Sequence, residues 1–160
     1  MILDIITSPA KILRQKAQTL TTKEIHEKNF PQFLRDMTET MLAKDGIGLA
    51  APQINVSSRV IVVNTKEGIL PFINPVITHK SWKKQTDEEG CLSVPGIYGN
   101  VRRPYQIDLQ ALDSDGHEIK LTAKGLFARV IQHEIDHLDG ILFIDHTKKI
   151  HREKYGRKYQ

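Results

Sequence analysis

Only one cysteine, Cys91, occurs among the 160 residues. An internal disulfide framework is therefore excluded, and a reducing compartment is the natural setting. No apolar run approaches the roughly 18 residues that a bilayer crossing needs. The opening stretch, MILDIITSPAKILRQ, lacks a basic-then-apolar signal followed by a small-residue cleavage site. The expectations are no membrane role and a cytoplasmic location, or an organellar one if a transit peptide has been removed. Internal repeats and low-complexity linkers are missing as well. With 39% hydrophobic residues, the chain suffices for one compact core and is short for two.

Excess charge is scarce except at one place. The formal net charge is +4, yet residues 148–160, KKIHREKYGRKYQ, hold six Lys/Arg and one Glu, leaving 17 basic and 18 acidic residues in the other 147. The expected organisation is a single domain over residues 1–147 and a basic tail over 148–160. Such a tail can dock on nucleic acid or another anionic surface, or simply fray in solvent.

What is present falls into recognisable elements. Ser8-Pro9 reads as a cap and first-turn proline opening a short helix near AKILRQKA. A longer helix is expected from Pro31 to Lys44, because Phe33, Leu34, Met37, Met41 and Leu42 share one stripe before Asp45-Gly46 ends it. SRVIVVN (58–64) suits a buried strand, and LPFINPVITHK (70–80) a second one whose prolines favour an edge. YQIDLQALD (105–113) alternates apolar and polar residues; Ser114-Asp115-Gly116 turns, and HEIKLTA returns as its partner. From Lys124 to Leu138 the period becomes helical. The expected fold class is α+β, with mainly antiparallel sheets packed around a central helix carrying an HExxH pattern.

That pattern lies in QHEIDHLDG (132–140). On a helical wheel Leu126, Val130, His133 and His137 fall within about 60° of one another, and Phe127, Ile131, Glu134 and Leu138 form the adjoining stripe. Both stripes are expected to be buried. A lone histidine on an apolar stripe is usually a hydrogen-bonded core residue. Two of them one turn apart each need a partner, and a shared metal supplies one to both. Glu134, displaced by about 60°, can reach a water at that metal without being a ligand. Its apolar neighbours should raise its pKa.

A third ligand must then come from upstream. A downstream histidine fails because position 143 is Phe, and the only later glutamate is Glu153, in the charged tail. His26, His79, His117 and Cys91 are the candidates. Cys91 stands apart, since EEGCLSVPG puts the sole thiol after a flexible glycine among residues unlike a plain core strand. A thiolate beside two imidazoles would leave one position for water.

GIGLAAPQ (46–53), EGCLS (89–93) and QHEIDH (132–137) resemble, in this order, the three motifs of the peptide deformylases, which remove the N-formyl group from new chains. The resemblance implies that Cys91, His133 and His137 bind one divalent ion, ferrous iron above zinc, nickel or cobalt. It implies that a metal-held hydroxide attacks the formyl carbon with Glu134 as general acid/base, and that Gln53 and the backbone N–H of Leu92 stabilise the oxyanion. Gly46, Ile47 and Gly48 offer an edge along which an extended formylmethionyl peptide can pair, while Leu126 and Val130 would line the methionine pocket. Arg102 or Arg103 is expected to pair with Glu89 and brace the cysteine loop. The ribosome becomes a candidate partner for the basic tail, and no direct DNA binding is expected. Two rival readings make Cys91 a nucleophile with His133 as its base, or make the three residues a structural zinc site. The first leaves His137 and Glu134 idle, and the second lacks a fourth ligand.

Overall fold

The computed structural model describes residues 1–152, and its elements follow local rules. Thr21 caps a one-turn helix, α1 (Thr22–Ile25), through a reciprocal capping box with Glu24. Helix α2 (Phe30–Ala43) buries Phe30, Leu34, Met37 and Met41. It stops where Asp45 turns left-handed at φ 54 and the Gly46 N–H donates to Met41 O at 2.9 Å. Its expected stripe fails only at Leu42, which faces solvent. The turn near Lys11 differs from expectation: Lys11–Arg14 is a 3-10 turn with Ala10 at its N-cap and no side-chain cap, so Ser8 does not cap it.

Strands β1 (Gly48–Ala50), β2 (Val60–Thr65) and β3 (Gly68–Lys80) follow, then β4 (Lys84–Cys91) and β5 (Val94–Pro104). After β6 (Gln106–Leu112) and β7 (Glu118–Lys124) comes helix α3 (Gly125–Leu138). A short strand, β8 (Ile150–Arg152), ends the described chain. One antiparallel sheet has the order β1-β2-β3-β6-β7 and the other β4-β5-β8.

The prolines of β3 did not push it to the sheet edge. Its first half pairs with β2 and its second half with β6, with register shifts between Ile73 and Val76 and between Ile77 and His79. Pro71 lies in the half bound to β2 and Pro75 falls at the first shift, so each occupies a place where a missing N–H does little harm. Cys91 is the last residue of β4 and meets Val94 of β5 across a tight turn, contrary to its expected place outside a regular strand. Gly90 before it is not there for flexibility: a Cβ would lie 2.6 Å from the Tyr98 ring. The basic stretch begins inside the sheet, because Ile150–Arg152 pairs with Ile97–Gly99 of β5; residues 153–160 lie outside the described part.

Helix α3 packs against β1, β2 and β7 on one side and β5 on the other. Val130, Ile131, Ile135 and Leu138 join Ile61, Val63, Phe72, Ile107 and Leu109 in the main core, each fully buried aliphatic side chain stabilising the fold by about 1.5–3 kcal/mol. Leu142 and Phe143 fill a second core with Val94 and Val101 under the β4–β5 hairpin. The expected burial of the histidine stripe fails at one position, since Leu126, in the first turn, is 64% exposed.

Candidate metal centre

Two chain segments meet along the C-terminal half of α3. The helix delivers His133 and His137 at i and i+4, with ring centroids 5.1 Å apart. The end of β4 delivers Cys91, whose Sγ lies 3.2 Å from His137 Nε2. One ligand atom from each of Cys91, His133 and His137 falls within 4.8 Å of the others. Among the described residues this cluster has three such side chains and no fourth, which disfavours a closed structural zinc site. Of the other upstream candidates, His26 contacts the Asp115 carbonyl, His117 lies beside Asp113, and His79 pairs along β3.

His133 is held by a buried carboxylate. Its Nδ1 is 2.8 Å from Glu89 Oε1, which directs Nε2 to the Cys91 side. Arg103 grips Glu89 through Nε at 2.7 Å and a terminal nitrogen at 2.9 Å, and Arg129 adds a third hydrogen bond at 2.6 Å. Arg103 also donates to Asp136 at 2.9 Å, which His146 contacts at 2.8 Å. The expected partner of Glu89 is thus Arg103, while Arg102 is exposed. The brace runs to a histidine as well as to the cysteine strand. The sequence reading missed Arg129 and Asp136. Arg129 sits four residues before His133, so helical spacing alone put both on the side that meets Glu89.

Gln53 comes from a 3-10 turn, Ala51–Ile54, that follows β1. Its Oε1 accepts the Ala50 N–H at 2.9 Å, so its Nε2 is turned toward Ser93 Oγ at 3.2 Å and Cys91 Sγ at 3.6 Å. The Ser93 N–H also faces Cys91 Sγ, at 3.4 Å. Glu134 lies on the β1 side. A Cβ on Gly48 would sit 2.5 Å from Glu134 Oε1 and 2.8 Å from Val130 Cγ1, so this glycine first makes room for the carboxylate. A Cβ at Gly46 would meet Leu92 Cδ1 at 3.3 Å, and Ile47 is half exposed on the same rim. Of the inferred pocket residues, Val130 is brought to the site and Leu126 stands open to solvent at the start of α3.

The charges divide by enclosure. Burial alone would raise the Glu89 pKa, but hydrogen bonds from His133 and Arg103 hold it well below the usual carboxylate range. For Glu134 burial wins, and its carboxyl is pushed up to about 7. Burial also opposes charge on both imidazoles. At His133 the hydrogen bonds with Cys91 and Glu89 outweigh it and lift the ring well above the ordinary value; at His137 burial and the neighbouring His133 charge push the ring well below. Glu134 Oε2 and His137 Nδ1 are buried without a hydrogen-bond partner among the described residues. Two imidazoles and a thiolate beside such an orphaned carboxylate oxygen fit a divalent late transition-metal ion with a water near Glu134.

Known proteins resemble this chain over most of its length. Residues 2–153 match the family model described as polypeptide deformylase. The peptide deformylase of Pelotomaculum thermopropionicum is 50% identical over 142 residues, 89% of each chain. That of Syntrophomonas wolfei is 49% identical over 150 residues, covering 94% of this chain and 96% of the relative. The actinonin-bound crystal structure of the class I type b enzyme from Acinetobacter baumannii superposes with a TM-score of 0.88 at 34% identity, covering 92% and 99% of the two chains. The Synechococcus elongatus enzyme in complex with actinonin gives 0.87 at 39% identity, covering 92% and 79%.

Proposed function

The chain belongs to the peptide deformylases, metal-dependent hydrolases that remove the N-formyl group from nascent peptides, and from that premise we propose how its own residues divide the work. Cys91, His133 and His137 hold one divalent ion, ferrous iron in the cell, with zinc, nickel and cobalt as substitutes. The observation that carries this reading is the convergence of one sulfur and two ring nitrogens within 4.8 Å. A divalent ion bound there supplies Lewis acidity, lowering the pKa of a coordinated water to about 7.

Every other part belongs to the protein. An extended formylmethionyl peptide lies along β1, an edge strand of its sheet. Gly46, Ile47 and Gly48 border it, and Leu126 and Val130 wall the methionine side chain. The exposure of Leu126 suits a groove that opens to solvent. As water adds to the formyl carbon, negative charge grows on the formyl oxygen, where Gln53 Nε2–H and the Leu92 N–H donate. Gln53 is suited because its Ala50 contact fixes which end of the amide faces the centre. Glu134, with a pKa near 7, is close to evenly divided between its two forms at neutral pH. It takes the proton from the water and gives it to the departing nitrogen as the carbon–nitrogen bond breaks, releasing formate and a free amine.

The test is formate release from a formylmethionyl peptide by anaerobically purified protein, with metal analysis of the same sample. The expected result is about one equivalent of metal and catalytic turnover, with activity declining in air through oxidation of ferrous iron or Cys91. Stoichiometric metal without formate release would overturn the reading.

A further inference from the structure

Trp82 is the only tryptophan in the chain, and it is 99% exposed. It sits between β3 and β4 in the stretch Lys80-Ser81-Trp82-Lys83-Lys84. The turn is pinned: Ser81 N–H donates to Gln106 O at 2.9 Å, and Tyr105 N–H donates to Lys83 O at 2.9 Å. Ser81 Oγ donates to Lys83 O at 2.8 Å and accepts the Gln106 N–H at 3.0 Å. Lys83 Nζ lies 4.4 Å over the Tyr105 ring. A bare indole is therefore held out on a fixed support.

The surroundings are cationic. Lys80 and Arg102 line a cleft of about 370 Å³ beside Pro104 and the Gln132–Asp136 side of α3. The acids in that cleft are already engaged, Asp136 by Arg103 and His146, and Asp139 by Arg59. Among the described residues Lys80, Lys84 and Arg102 have no acidic partner within ion-pair distance. On the helical wheel Gln132, Ile135 and Asp139 lie about 100° or more from His133 and His137. Arg103 and Asp136, at the inner wall of the cleft, belong to the Glu89 clamp, so Lys80, Arg102 and Trp82 lie on the clamp's outer side rather than at the metal ligands.

We propose that this end of the molecule is a contact surface for single-stranded RNA. Trp82 serves as a stacking platform for one base, and Lys80, Lys84 and Arg102 follow the phosphates. A platform plus tracking cations is what sequence-tolerant single-strand binding requires, because every base offers a π-face and every link a negative charge. Anchoring in a lipid surface needs several apolar groups presented together; Trp82 is flanked by Ser81 and lysines, and the exposed apolar residue of the cleft, Val76, lies six residues back along the chain.

The lone tryptophan is its own reporter. Titration of the full-length, metal-loaded protein with an oligouridylate should quench Trp82 fluorescence to saturation. Affinity should fall with salt at a log–log slope of about −0.7 per phosphate contacted. Trp82→Ala should weaken binding of a fluorescein-labelled oligomer about tenfold, Trp82→Phe should recover part of it, and both should release formate from a short formylmethionyl peptide at the wild-type rate. Binding without quenching and with equal affinity in Trp82→Ala would place RNA elsewhere, for example on residues 153–160, and overturn the proposal. So would no binding at low salt, or a blue shift with phosphatidylglycerol vesicles and no response to RNA.

Discussion

Glu89 and Glu134 are both buried beside His133, one on the β4–β5 side of α3 and the other on the β1 side, and their surroundings drive them to opposite states. Glu89 faces two guanidiniums and an imidazole and stays charged far into acid. Glu134 has an oxygen with no partner among the described residues and titrates near 7. Burial is common to the two, so it cannot be what assigns their roles. Hydrogen-bond donors decide: two guanidiniums and the His133 ring make Glu89 a fixed anion that orients that ring, and an oxygen with no donor among the described residues leaves Glu134 a carboxyl able to exchange a proton.

The comparison breaks most visibly at Glu134. Glu134→Gln should lower turnover about 10²–10⁴-fold, the usual contribution of a general acid/base, while metal content stays near one equivalent. If turnover stays within a factor of three, Glu134 is not the proton carrier. Gly48→Ala probes the same side with the carboxyl group retained but displaced, because the added methyl would collide with Glu134 Oε1 at 2.5 Å. A loss of about 10–100-fold in kcat with metal retained is expected, as for roughly 1 Å misplacement of a catalytic group. An unchanged kcat would show that the Glu134 position is not critical.

On the other side, Glu89→Ala strands two buried guanidiniums. It should cost about 3–5 kcal/mol of stability in denaturant unfolding and about 10–100-fold in metal affinity. A variant as stable as the parent would refute the clamp. The smallest effect is in the pH dependence of chelator-treated protein. Glu134 binds its proton more tightly folded than unfolded, so it lowers stability as pH rises from about 4.5 to 7, by on the order of 1 kcal/mol per unit. Glu89 binds its proton less tightly folded, so its contribution is full above about 4.5 and is lost as pH falls below that. Glu134→Gln should flatten the first slope and Glu89→Gln the second; one slope surviving in both variants would erase the distinction.

The sequence carried this division only in part. Helix α3 and the β6–β7 hairpin were readable because one face of each is buried, which leaves a period of 3.6 or 2 in the residue pattern. Strand β4 left none: Lys84–Glu88 are all exposed, so nothing in its composition alternates, and β1 is too short to show a period. The grouping of Cys91, His133 and His137 was legible from motif and chemistry. The choice between Arg102 and Arg103 was not, since it depends on which face of β5 turns inward, and that follows from pairing with the unseen β4. The Glu89 clamp likewise draws Arg103 from 14 residues away and Arg129 from 40, distances over which local pattern says nothing. Leu126 misled because a stripe drawn on a wheel assumes cover along its whole length, and the first turn of α3 lies beyond that cover.

Metal content of anaerobically purified protein, set beside Cys91→Ser and His137→Ala variants, tests the central assignment most directly. About one ion per chain is expected in the parent and less than about a tenth of that in either variant, since a three-ligand site tolerates no missing member. A full equivalent retained by both variants would place the metal elsewhere and contradict the account.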